Sequence, residues 1–158
     1  MNSIEQTRDL AGLVAVVTGG SSGIGAATAA ELTARGARVA VLDRAEGSGV
    51  EDLPLYRADV QSDDEVRAAI DAVVADHGGL DIVINNAGIG AQGDVTANPS
   101  DQWLQLLDIN VVGIARVRAA ALPHLRRSRA AVIVNTCSIA ALVGLPQRAA
   151  YSASKGAV

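Results

Sequence analysis

The feature that most limits how this chain can fold is a series of short, nearly uninterrupted apolar runs at residues 13–17, 39–42, 82–84 and 131–134, with a weaker one at 55–58. A strand with one wet face alternates apolar and polar side chains, whereas a strand covered on both faces does not need to. These runs therefore read as strands of a parallel sheet enclosed by helices. Helical patterns lie between them. The clearest opens at Ser62, with Glu65 three positions on as in a capping box, and continues with Val66, Ala69, Ile70, Val73 and Val74 on one stripe before Gly78-Gly79. A second starts near Asn98-Pro99 and carries Trp103, Leu106, Leu107, Val111 and Ile114 at core spacing, and Pro123 is expected to kink or end its continuation. The order is βαβ, an irregular link over residues 46–52, then βαβαβ, which predicts an α/β, doubly wound parallel sheet.

At 158 residues and 49% apolar content, the chain suits one domain or part of a larger one, and its net charge of -4 argues against a phosphate-backbone binder. No nucleic acid is expected as partner. Residues 1–10 are polar with no apolar h-region, and no apolar run approaches the roughly 18 residues needed to span a bilayer, so no membrane partner is expected and a cytoplasmic location is. The single cysteine, Cys137, reads as a packing residue, and no Cys/His cluster has metal-ligand spacing, so no metal is expected. His77 and His124 are assigned to structure.

After the first strand comes Thr18-Gly19-Gly20-Ser21-Ser22-Gly23-Ile24-Gly25, leading directly into a helix. Glycines there permit positive φ and close backbone approach, and the helix N-terminus offers free N–H groups and the positive end of its dipole. That combination suits a pyrophosphate. Asp43 ends the second strand, where a carboxylate accepts from adenosine ribose hydroxyls and repels a 2′-phosphate. NAD is therefore expected, with NADP as the alternative because Arg44 follows immediately.

A second constellation closes the chain. Lys155 is the only lysine, the other twelve basic residues being arginines, and it follows Tyr151 by four positions. On a helix the two share a face, so the ammonium favours the ionised phenol and makes Tyr151 a candidate proton donor and acceptor. Asn110 falls on the apolar stripe of the Trp103 helix, where a buried amide either ties helix to strand or serves function. Ser138 follows the 131–134 run at the carboxyl edge of the sheet, where open α/β folds bind ligands.

Taken together, these motifs resemble those of the short-chain dehydrogenase/reductase family. Residues 18–25 are similar to its Thr-Gly-x-x-x-Gly-x-Gly motif, Asp59-Val60 to its adenine-contacting pair, and Asn85-Asn86-Ala87-Gly88 to its Asn-Asn-Ala-Gly motif, while Asn110, Ser138, Tyr151 and Lys155 fall where its catalytic tetrad would be. The resemblance implies a Rossmann sheet of strand order 3-2-1-4-5, and a dinucleotide held by Gly19, Ser21, Ser22, Gly23, Ile24, Gly25, Asp43, Asp59, Val60, Asn86, Tyr151 and Lys155. It implies hydride transfer between a nicotinamide and a small-molecule alcohol or carbonyl. Tyr151 would move the proton, Ser138 would orient the substrate oxygen together with Tyr151, Lys155 would bind the nicotinamide ribose, and Asn110 would hold a relay water. Relatives pair through the Trp103 and Tyr-Lys helices, which implies a homodimer or homotetramer for a full-length protein.

Family members continue for about another hundred residues. The expectation is thus a short N-terminal extension (1–10) and a dinucleotide-binding domain (11–158) that stops before the last family strands, leaving residues 132–134 as an exposed apolar edge. Two alternatives remain open: a non-catalytic nucleotide-binding fragment, and an NADPH-linked ketoreductase resembling 3-oxoacyl carrier-protein reductases.

Overall fold

The computed structural model describes residues 9–45 and 52–158, so most of the expected N-terminal extension and of the 46–52 link lies outside the described residues. Five parallel strands form one sheet in the order β3-β2-β1-β4-β5, as expected: β1 Val14–Thr18, β2 Arg38–Asp43, β3 Leu55–Arg57, β4 Ile82–Asn85 and β5 Val132–Asn135. Each strand differs from its apolar run by only a residue or so at the ends. β1 and β4 are buried throughout, because helices cover both faces: Val14, Val16 and Val83 pack towards Val66, Ile70, Val73, Val117 and Ala121, and Ala15, Val17 and Ile84 pack with Ala29, Val39 and Val41. Among the described residues β5 pairs with β4 alone and is exposed at every position, so residues 132–134 form an apolar edge, as expected.

The helices are α1 Gly23–Ala34, α2 Asp63–His77, α3 Ser100–Leu107, α4 Gly113–Leu125 and α5 Ala149–Gly156. α2 realises only half of its capping box: Ser62 Oγ accepts from Glu65 N at 3.3 Å, but the Glu65 carboxylate accepts from Asp59 N at 2.9 Å. The Asp59–Val60 loop is thereby tied to the helix start. The stripe through Trp103 is not one α-helix, since a π-turn, Asp108–Val112, joins α3 to α4. Pro123 does not stop α4, which continues to Leu125; in the last turn the missing N–H removes one bond without breaking the rod.

The π-turn is locked to the Val60 loop. Arg116 reaches from α4 to Asp108 (2.8 Å), to Asp63 (3.3 Å) and to the Val60 carbonyl (3.2 Å), and Gln61 Nε2 donates to Asp108 at 2.9 Å. Gly113 lies so close to Val60 that a Cβ there would meet the valine side chain at 3.1 Å. The carboxyl ends of β1, β2 and β4 and the residue-110 turn thus converge on one edge of the sheet.

Candidate active site

Two cavities open at that edge. The first, of about 370 Å³, runs along the glycine-rich turn and is lined by Gly19, Ser22, Gly23, Ile24, Asp43, Asp59, Val60 and Asn86 among others. The second, of about 420 Å³, is lined by Leu145, Arg148, Tyr151 and Lys155. Asn86, Gly88 and Ile89 line both, so the two form one trough.

The turn at the first cavity is shaped by close approach. Gly19 adopts φ +62 and Gly23 φ +53, a region costly for side chains with a Cβ. Nothing lies within 4 Å of a Cβ placed on Gly23, so that side of the turn faces open space. Gly25 sits behind it, against the Gly19 carbonyl and the Asn86 amide. Ser21, also behind the lining, donates its N–H to Asp43 Oδ2 at 3.1 Å, and its buried Oγ is without a hydrogen-bond partner among the described residues. A cradle with open space at Gly23 and tight backing at Gly25, at the start of α1, fits the phosphates of a dinucleotide.

Asp43 places its other oxygen on the N–H of Arg44 (2.8 Å). Arg44 lines the same end of the cavity, its guanidinium 3.6 Å from the Asp59 carboxylate. Asn86 contributes structure as well as lining: its Nδ2 donates to the carbonyls of Thr18 (3.2 Å) and Gly19 (3.1 Å), clamping the turn to the segment after β4. Thr18 completes that clamp, its buried Oγ1 accepting from both Asn86 N and Ala87 N at 3.0 Å. Sequence reasoning did not single out Thr18 as a site residue; the signal was a polar side chain ending an otherwise apolar strand.

At the second cavity, α5 presents Tyr151 and Lys155 on one face. Lys155 is buried and its Nζ donates to the Thr136 carbonyl at 2.7 Å, which leaves two of the ammonium protons for other acceptors. The other tyrosine, Tyr56, lies elsewhere, donates to Asp76 at 2.8 Å, and is pushed up to about 12 by burial and that carboxylate. Asn110 is fully buried in the π-turn. Its Oδ1 accepts from Ile89 N at 2.8 Å, and its Nδ2 donates to the Ile89 carbonyl (3.0 Å) and Ser154 Oγ (2.9 Å). Both amide protons are therefore used within the protein, and the side chain ties α5 to the segment after β4. Ser138 caps the 3₁₀ turn Ile139–Ala141, its Oγ accepting from Ala140 N at 3.2 Å, and it is not among the residues lining the second cavity. Cys137 is exposed, with Sγ 3.4 Å from the Lys155 carbonyl. Among the described residues no group of His, Cys, Asp and Glu is arranged to hold a metal ion, and no helix is long and apolar enough to cross a membrane.

The profile of the short chain dehydrogenase family matches residues 13–158. The chain belongs to that family. Among curated short-chain dehydrogenases and their relatives it is 42% identical over 159 residues to the 2-(R)-hydroxypropyl-CoM dehydrogenase of Xanthobacter autotrophicus, covering 92% of this chain and 64% of that protein. It is 33% identical to the 3-oxoacyl-[acyl-carrier-protein] reductase of Staphylococcus aureus, covering 91% of this chain and 63% of that one. Among solved structures, NAD⁺-bound xylitol dehydrogenase superposes with a TM-score of 0.85 at 38% identity over 94% of this chain and 62% of its own. The ligand-free aldohexose dehydrogenase of Thermoplasma acidophilum gives 0.91 at 32% identity over 96% and 59%. This short-chain dehydrogenase sequence thus spans a little under two thirds of the length of the relatives it matches.

Proposed function

We propose that the chain forms the NAD-binding and catalytic portion of an oxidoreductase that interconverts a small alcohol and its carbonyl compound. The observation that carries this reading is the single trough with Asp43 and Asp59 at one end, the glycine-rich turn in the middle and Tyr151 with Lys155 at the other. A dinucleotide is an object of that shape: the cavity around Asp43, Asp59 and Val60 suits its adenosine, the turn its pyrophosphate, and Lys155 its nicotinamide ribose. Bound there, it supplies the hydride acceptor or donor.

The chain's own residues handle the oxygen. Tyr151 takes the proton from the alcohol or returns it to the carbonyl oxygen, and the Lys155 ammonium beside it stabilises the phenolate while the proton is away. Ser138 is assigned to orienting the substrate oxygen and Asn110 to the proton relay. Because its donors are committed, Asn110 serves that relay through its oxygen atoms and by fixing Ser154, the neighbour of Lys155. NAD is favoured over NADP because two carboxylates, Asp43 and Asp59, line the adenosine end of the cavity and the one guanidinium lining it there among the described residues, Arg44, is paired with Asp59. Self-association through α3, whose Leu104 is exposed, belongs to the same reading.

Ser138 lying outside the cavity lining favours a second reading, in which the chain binds the dinucleotide without turnover. Replacing Tyr151 by Phe separates the two. Turnover with NAD and an alcohol panel should fall by a factor of about 10² or more, the usual contribution of a positioned acid-base group, with NAD affinity changed less than threefold. Equal turnover by wild type and variant would remove Tyr151 from the mechanism. No turnover in either, with NAD still bound, would favour the second reading.

A further inference from the structure

The catalytic cavity contains a cation that hydride transfer does not use. Arg148 lies one helical turn before Tyr151, at the N-cap of α5, and its guanidinium lines the same cavity as Tyr151 and Lys155. No carboxylate lines that cavity, and among the described residues none forms an ion pair with Arg148. Among the described residues its side chain makes one hydrogen bond, from NH1 to the Ala91 carbonyl at 3.1 Å, which leaves the remaining guanidinium N–H groups for a ligand.

The backbone beneath it is held from outside the helix. Arg148 forms an isolated parallel bridge with Gly93: Gly93 N donates to the Gln147 carbonyl at 2.9 Å, and Ala149 N donates to the Gly93 carbonyl at 3.2 Å. Gln147 adopts φ +58, a left-handed conformation that costs a non-glycine residue about 1–2 kcal/mol and is held here by the bonds of its own carbonyl and of Ala149 N to Gly93. Gly90 lies under the guanidinium, where a Cβ would come within 4.0 Å of NH1. The arginine is thus set by contacts to the segment after β4, which also lines the trough.

Two cationic side chains in one partly desolvated cavity with no acid among its lining residues leave positive charge to be balanced by whatever enters. Lys155 is engaged by Thr136 and assigned to the ribose. Arg148, with a planar fork of donors, matches a carboxylate in bidentate geometry. We propose that the substrate is a hydroxy acid or keto acid, and that Arg148 binds its carboxylate while the hydroxyl or carbonyl carbon lies at Tyr151. The inference rests on the oxidoreductase reading for its reaction, but the anion site itself is tested without turnover.

Butyrate, which cannot be oxidised at this site, serves as the binding probe, and butyramide, equally inert to hydride transfer, as its neutral counterpart, both titrated into the full chain with NAD present and followed by saturation-transfer NMR. Wild type should bind butyrate at least tenfold more tightly than butyramide, Arg148→Met should abolish that preference, and Arg148→Lys should restore part of it. Equal affinity of wild type for the two probes would overturn the proposal, and so would a preference that survives in Arg148→Met. If Arg148→Met fails to fold, the wild-type preference and the lysine variant decide. In turnover, kcat/KM for 3-hydroxybutyrate should exceed that for its methyl ester at least tenfold. An ester used as well as the acid contradicts anion recognition, whereas absence of turnover on both beside intact butyrate binding contradicts the redox reading and leaves the anion site supported.

Discussion

Gly25→Ala probes the geometry of the glycine-rich turn directly. The added Cβ would lie well inside contact distance of the Gly19 carbonyl oxygen, 2.9 Å from the Gly19 carbonyl carbon and 2.5 Å from Asn86 Nδ2. Two of those atoms are backbone, so no side-chain rotation relieves the clash. Either α1 moves away from the turn, at the usual overpacking cost of about 1–3 kcal/mol, or the Asn86 clamp gives way. In the second case two hydrogen bonds are lost, each worth about 0.5–1.5 kcal/mol. Both routes point to a loss of about 1–3 kcal/mol, which for a chain of this size corresponds to about 2–12 °C in Tm. NAD affinity should fall at least tenfold, because the displaced atoms are those of the turn. Gly79→Ala is the control: nothing lies within 4 Å of its Cβ, so its stability should stay within about 0.5 kcal/mol of wild type. Urea unfolding and calorimetric titration with NAD measure both quantities. A Gly25→Ala protein as stable as the Gly79→Ala control, with unchanged affinity, would refute the reading of this turn as a crowded cradle.

Asp43→Asn keeps an acceptor for Ser21 N but removes the charge facing the ribose end of the cavity; the ratio of NADP to NAD affinity should rise at least tenfold, and an unchanged ratio in calorimetric titrations would take Asp43 out of cofactor selection. Asp108 is held below the ordinary carboxylate range by the Gln61 hydrogen bond and by Arg116 against some burial, so its contribution to stability is present above about pH 4 and is lost as pH falls through its depressed value. Between about pH 5 and pH 3 wild type should therefore lose more stability than Asp108→Asn, measured by urea midpoints, and parallel curves would contradict that assignment.

The sheet was legible because β1, β2 and β4 are enclosed by helices, which removes the polar alternation that marks a half-exposed strand. The glycine turn and the Tyr151–Lys155 pair were legible because each is a local pattern, a loop or one turn of helix. What the sequence did not disclose depends on partners remote along the chain. Glu65 looked like the second half of a capping box, yet its carboxylate meets Asp59 N six positions back. The π-turn does not show in the apolar stripe, since the buried Leu106, Ile109 and Val117 sit at spacings that an unbroken helix also allows. Arg148 gains its meaning from the Ala91 carbonyl, 57 positions earlier, and from the Gly93 bridge. Ser138 has the expected spacing before Tyr151, but spacing alone does not determine where its hydroxyl points, and here it caps a 3₁₀ turn.

A crystal structure of the chain with NAD bound tests the central claim most directly. The adenine should lie by Asp59 and Val60, the pyrophosphate against the turn from Gly19 to Gly25, and the nicotinamide ring beside the Tyr151 hydroxyl with its ribose on Lys155. A dinucleotide found with its ring outside the cavity that Tyr151 and Lys155 line would contradict the assignment of hydride transfer to this site.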